Sequence, residues 1–428
     1  MKRTRKFELG WHAVSFILLT GVLVSFTHAD TSNIADSNIA EGLSVNRMTL
    51  AIAFSPVVLL VFHLIKTINI FLKRGKILLL LLVWVMMSSI WSANSQITIL
   101  RGFVICLGTL YGMLLYIRYG FDDILKVMGV SFGIILISSL LAVMLFPNWS
   151  IMEYPHQGAW KGILFHKNAL GRYSALSFVV FWSLYRRYLS KQWLFFVLIS
   201  LLAIVGSKSA TSLILVVCIF FMLKFLEFFG TRTASSRLIL GANIIAVMYM
   251  LFVFVWLKNE YLHHFVENFL KVLGKDPTLT GRLVIWRLLI NMGVDKIWTG
   301  YGFGAFWQGY QGPSAVIWQL AGPWPNAHNG YLEILLSIGI FGFIMSIVLL
   351  FELLYWGMRM YYRNPLCYKN LFLCGCGIYF VLSNLSGSFF LSSGVTTGIF
   401  YWILFVFNYL VVKDLRRGEK WVKMATKP

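Results

Sequence analysis

Charge is scarce in this sequence, and negative charge is scarcest. Asp and Glu together number 16 against 37 Lys and Arg, and the four types make up only 12% of 428 residues. A soluble domain carries roughly twice that charged fraction and has no room to hide so much apolar surface. Cysteine is equally thin, at five residues. Cys106, Cys218, Cys374 and Cys376 fall inside apolar runs and Cys367 in a basic loop, so no disulfide framework is implied. Cys374 and Cys376 point roughly 200° apart on a helix, which suits no metal. The carboxylates outside the apolar runs (Glu153, Glu260, Glu267, Asp276, Asp295) are scattered without two-residue metal spacing. Asp122-Asp123 has that spacing but reads as solvated loop beside Arg118. The default site therefore uses no metal and no cofactor.

What is present is apolar: 59% hydrophobic and 17% aromatic residues. Runs approaching the ~20 residues needed to cross ~30 Å of hydrocarbon fall at 11–28, 47–72, 76–92, 99–117, 124–146, 168–185, 191–206, 209–229, 237–257, 330–357, 368–388 and 395–412, with 191–206 the shortest. The sequence thus predicts an all-α polytopic membrane protein with about twelve spans. The run at 11–28 also has signal-peptide features after the basic Met1–Lys6 segment. A retained first helix places every later loop on the correct side and is preferred.

The formal charge of +21 follows that topology. Lys73/Arg74/Lys76, Arg186/Arg187/Lys191, Arg232/Arg237, Arg359/Arg363/Lys369 and the Lys413–Lys427 tail all fall on one side, which is the positive-inside pattern. Both termini are then cytoplasmic. No basic stripe interleaved with aromatics exists, so nucleic acid is not a partner. His63 and Lys66 read as anchors or satisfied core groups. The predicted layout is spans one to nine over 1–257, an external loop over 258–329, three spans over 330–412 and a basic tail over 413–428. The loop is too long to be structureless. Tyr261–Val272 reads as an interfacial amphipathic segment, and Arg282–Val294 as a helix capped by Thr280.

Basics on the external side are those topology does not require: Arg101, Lys161, Lys167, Arg172, Lys208, Arg282 and Arg287. Headgroup contact accounts for single members; together they suggest a site for a doubly charged ligand at the outer interface. His328, in the polar run Pro325–Gly330, enters the tenth span. The helix that follows disfavours imidazolium, leaving a neutral ring for use as a base; the alternative is a helix cap or a hydrogen bond to loop backbone. His166-Lys167-Asn168 opens the sixth span and offers donors to an anion, or serves as an interfacial anchor. Gly300–Gly304 lacks the Lys-Ser/Thr ending of a nucleotide loop and reads as tight packing.

Six segments occur in order: Trp91-Ser92 followed by Arg101, His166-Lys167-Asn168-x-x-Gly171, Ser207-Lys208-Ser209-x-Thr211, Gly281-Arg282-x-x-x-Trp286, Gly300–Trp307, and His328-Asn329-x-x-Leu332-Glu333. The set resembles the O-antigen ligase and O-antigen/exopolysaccharide polymerase superfamily, in the succinoglycan-polymerase flavour, over roughly 80–345. The resemblance implies a GT-C-like bacterial inner-membrane glycosyltransferase with a periplasmic active site. It implies transfer of a glycan from undecaprenyl pyrophosphate to a sugar hydroxyl, with Arg282 and His328 as catalytic residues. Lys208 stands where an Arg is common and lacks its bidentate fork. Arg172, Arg287, Arg101, His166, Lys167, Asn168 and Asn329 join Lys208 as expected substrate contacts. Loop aromatics (Trp286, Tyr301, Phe306, Trp307, Trp318, Trp324) are expected to stack on sugars or to form loop core. Partners expected are lipid-linked oligosaccharide, membrane lipids and a chain-length regulator. A ligase using lipid A core and a lipid-linked oligosaccharide transporter are the alternatives.

Overall fold

A computed structural model describes residues 2–22, 49–153, 156–230, 282–388, 390–391 and 397–416. The expected span at 237–257, the Tyr261–Val272 segment, the Thr280 cap, Arg232/Arg237 and most of the basic tail lie outside the described residues. Helices dominate: α1 (Lys2–Leu19), α2 (Leu64–Arg74), α3 (Lys76–Met87), α4 (Ser95–Arg118), α5 (Phe121–Leu145), α6 (Lys167–Tyr188), α7 (Lys191–Gly206), α8 (Ala210–Gly230), α9 (Arg282–Asp295), α10 (Ala315–Ala321), α11 (Gly330–Arg363), α12 (Tyr368–Ser383) and α13 (Thr397–Arg416). Sheet among the described residues is one two-stranded hairpin, Ile151–Met152 against Ala159–Trp160. Five described helices are long and apolar enough to cross a membrane: α4, α5, α8, α11 and Gly398–Arg416 of α13. The protein is a helical membrane protein.

Two expected spans have a different local form. Helix α1 starts at Lys2 rather than at 11, because nothing in the basic leader breaks a helix. The run expected at 47–72 is divided by a 3-10 stretch, Ser55–His63, ahead of α2. Pro56 sits at its start and has no N–H to give an α-helical bond.

The bundle is held by close helix approach. A Cβ on Gly112 of α4 would lie 2.8 Å from the Ile403 carbonyl of α13, so glycine there lets the two backbones meet, as small residues do between membrane helices. Helix α6 packs against α7 and α12, and α11 against α12 and α3. The core is strongly aromatic; Tyr173, Tyr379 and Tyr401 are buried, with Tyr401 stacked on Tyr173 at 5.4 Å and on Tyr379 at 5.9 Å.

Helix α11 is broken at Gly339, whose φ is +64°. The freed backbone groups are taken by the preceding loop. Ile340 N donates to Ile297 O at 2.7 Å, Tyr301 N to Leu336 O at 2.8 Å, and the Trp84 indole to Ile338 O at 2.8 Å. Gly300, Gly302 and Gly304 all take positive φ, and a Cβ on Gly300 would meet the Gly339 nitrogen at 2.7 Å. The glycine-rich run is tight packing against the helix break. The loop also has its own small core of Ile285, Trp286, Leu289, Phe306, Ile317 and Ala327 under Leu336 of α11.

Candidate active site

The start of α9 supplies Arg282 and Trp286, four residues apart and hence on one helix face. Trp286 donates its indole N–H to the Ala327 carbonyl at 2.7 Å. The Ala327 N–H donates to Glu333 Oε2 at 3.1 Å. The residue before His328 is thus gripped from both sides, which accounts for the Arg282-x-x-x-Trp286 spacing. His328 itself adopts φ +49°, a left-handed conformation that costs a non-glycine residue about 1 kcal/mol or more and is retained only where the surroundings impose it. Its backbone N–H donates to Asn326 Oδ1 at 2.9 Å, and its ring meets Trp324 edge-on at 5.5 Å.

His328, Arg282, Arg172 and His166 form one electrostatic group. Burial, then the charges of Arg282, Arg172 and His166, push the His328 imidazole down to about 3. Burial and the Arg172 guanidinium lower Arg282 from its ordinary value. Burial, then His156, Arg172, Lys167 and Lys161, take His166 to about 4. Among the described residues, no carboxylate acts on any of these three groups. Arg282 Nη1 donates to the Ser386 carbonyl at 3.4 Å, while its Nε is buried without a partner. The site therefore joins the start of α6, the start of α9, the turn before α11 and the turn after α12.

His166 also has a structural duty. Its Nδ1 accepts from Asn168 N at 3.1 Å and caps α6, which requires an unprotonated Nδ1. His156, which the sequence gave no reason to single out, stands with its ring 5.5 Å from that of His166. Lys161 lies on the same strand connection, lowered by burial, with its ammonium 5.8 Å from the Trp149 ring. Lys167 acts on His166 through its charge, and its backbone N–H meets Met152 Sδ at 3.4 Å.

The other expected contacts are placed differently. Asn329 caps α11, its Oδ1 accepting from Tyr331 N at 3.0 Å and Leu332 N at 3.3 Å; the cap is Asn329, and not His328. Arg101 donates to the Gly304 carbonyl at 2.6 Å and holds the glycine-rich turn. Lys208 is exposed and donates to the Gln157 carbonyl at 3.2 Å at the hairpin tip. Arg287 is exposed, because five residues from Arg282 is about 140° round the helix. Asp122-Asp123 opens α5 in ion pairs, Asp122 with Arg187 at 3.7 Å and Asp123 with Arg5, while Arg118 pairs with Glu8 at 2.6 Å.

Glu333, quoted in the sixth segment but given no role there, is a candidate site residue. Only 6% exposed, it accepts the Trp307 indole N–H at 2.9 and 3.0 Å as well as Ala327 N. It holds the backbone next to His328. The available signal was its place five residues after His328, where one helical turn brings a side chain back over its own N-terminus.

Chemically, the cluster can bind a polyvalent anion through Arg282 and Arg172, and can offer His328 as a neutral acceptor of a proton. Residues 193–347 match the family described as O-Antigen ligase. A protein of Rickettsia conorii (strain ATCC VR-613 / Malish 7) named "Putative polysaccharide ligase" is 27% identical over 154 residues, covering 34% of this chain and 35% of that protein. The chain spans about a third of the length of the curated relative it matches. The matched region contains Lys208, Arg282, His328 and Glu333.

Proposed function

We propose that the chain is a polysaccharide polymerase of the bacterial inner membrane, in the O-antigen ligase and polymerase superfamily that its residues 193–347 resemble. It transfers a growing glycan from undecaprenyl pyrophosphate to a sugar hydroxyl of another lipid-linked repeat unit. The twelve-span topology, cytoplasmic termini and periplasmic site belong to this reading. The observation that carries it is the half-buried group of Arg282, Arg172, His166 and His328, in which no carboxylate acts on Arg282, His166 or His328 among the described residues.

A glycosyl pyrophosphate is already activated, and its departure needs charge stabilisation more than protonation. Arg282, with a buried Nε that lacks a partner, and Arg172 beside it supply that charge. One well-placed donor of this kind lowers a barrier by roughly 3–4 kcal/mol. Burial, together with these cations, keeps His328 neutral, and its unprotonated ring takes the proton from the attacking hydroxyl. As the C–O bond to the new sugar forms, the bond to pyrophosphate breaks and its electron pair leaves with the diphosphate. In-line attack inverts the anomeric configuration. His166 and Lys167 lend further charge; Glu333 holds the turn that carries the base.

The names carried by the matched family and by the relative favour a second reading, a ligase that transfers the glycan to lipid A core. One experiment separates the two. The purified protein is incubated with an undecaprenyl-pyrophosphate repeat unit, alone and with lipid A core, and the products are resolved on a gel. Ladders from the repeat unit alone support polymerisation. Product only with lipid A core supports ligation, and no covalent product in either arm removes both.

A further inference from the structure

Resting on the reading above, we propose that Tyr310, Trp318 and Trp324 form the subsite for the acceptor glycan and seat the pyranose ring whose hydroxyl is deprotonated by His328. The loop aromatics divide into two sets. Trp286 and Phe306 are buried in the loop core, and the Trp307 indole is committed to Glu333. Tyr310, by contrast, is 57% exposed, and Trp318 and Trp324 are half-buried.

The second set is linked in a chain that ends at His328, by ring contacts at either end and a hydrogen bond between. Tyr310 meets Trp318 edge-on at 5.2 Å. The Trp318 indole donates to the Trp324 carbonyl at 2.9 Å, and Trp324 stands edge-on to His328 at 5.5 Å. The Trp324 indole N–H is spent on the Ala321 carbonyl at 2.9 Å. With both N–H groups consumed by backbone, these indoles are held in fixed orientation and have only their ring surfaces left to offer. An aromatic face pairs with the axial C–H face of a sugar, an uncharged and partly apolar surface. The chain makes room for the arrangement: at Gly309, φ is +64°, and a Cβ would lie 3.3 Å from the Trp318 ring.

The two substrates are then recognised by different chemistry. The diphosphate of the donor is held by guanidinium charge, and the neutral acceptor sugar by rings, with His328 where the two meet. Occupancy by the acceptor rather than the donor lipid follows from this division.

The test uses the full-length protein in detergent, with saturating lipid-pyrophosphate donor and, as acceptor, the repeat-unit oligosaccharide freed from its lipid pyrophosphate. Tyr310→Ala and Trp324→Ala should each raise the acceptor KM about fivefold, with the donor KM unchanged. Tyr310→Phe, which keeps the ring, should stay near the wild-type acceptor KM. If Trp324→Ala does not fold, the exposed Tyr310 pair decides. An unchanged acceptor KM in Tyr310→Ala overturns the subsite, and so does a donor KM that rises in step. Those results count against the subsite alone when Arg282→Ala and His328→Ala remain inactive; activity in the latter two removes the underlying reading.

Discussion

The two ends of the helix bundle treat their cations in opposite ways. At the end bearing the basic clusters, cations meet carboxylates: Arg118 pairs with Glu8 at 2.6 Å, Arg74 with Asp414 at 2.6 Å, Lys413 with Glu352 at 2.6 Å and Arg186 with Glu227 at 3.5 Å. Tyrosines 116, 119 and 409 close the same carboxylates. At the loop end, the Glu333 carboxylate is occupied by Trp307 and Ala327, and the Arg172 charge lowers Arg282. Charge paired with a carboxylate clasps the helices, whereas burial of a cation away from carboxylates costs stability that a bound anion would offset.

The largest expected effect falls at the loop end. Arg282→Ala and His328→Ala should each reduce transfer about a thousandfold while the protein remains monodisperse on size exclusion. A loss below tenfold in a well-folded variant erases the distinction between the two ends. Next comes Glu333→Gln, which keeps one acceptor oxygen but loosens the turn. Misplacing the base should lower kcat about a hundredfold with little change in donor KM.

Acidification offers a third, smaller effect. Both His328 and His166 fold with pKa values well below the ordinary 6.5, at about 3 and about 4. The unfolded chain then binds protons that the folded one refuses, so stability is full above about pH 6.5 and falls as the pH drops toward those values. At pH 5 the loss is on the order of 2 kcal/mol per ring, read as a falling thermal midpoint. His166→Asn retains a capping side chain and should flatten that slope; an unchanged slope would show that His166 is not buried neutral.

At the opposite end, Arg118→Ala should cost about 1 kcal/mol of stability and leave transfer within twofold. The smallest effect belongs to Arg287→Ala, whose exposed side chain lies off the site. Its activity should match wild type to within about twofold, and a large loss there would move the site round α9.

The apolar runs made most of the bundle legible, because a span announces itself over some twenty residues. Arg282 and His328 were singled out because a charge and a polar turn at a membrane edge are costly and because the resemblance assigns them roles. What escaped was set by contacts between distant parts of the chain. The break in α11 depends on the loop filling it, and the Trp84 indole reaches Ile338 across 254 positions. Asn329 and Lys208 have the chemistry of ligand contacts, but local geometry claims them first, one as a cap and one for the Gln157 carbonyl. The partners of Glu333 escaped for the opposite reason, since its place in the first turn of an apolar helix does not show that it will meet an indole and a loop amide.

The central claim concerns where a diphosphate binds, and affinity tests it more directly than turnover. Undecaprenyl pyrophosphate should be titrated into the purified wild type, Arg282→Ala and Arg118→Ala by calorimetry. The account predicts that Arg282→Ala weakens binding by more than tenfold while Arg118→Ala binds like wild type. Equal affinity in the wild type and Arg282→Ala would contradict it.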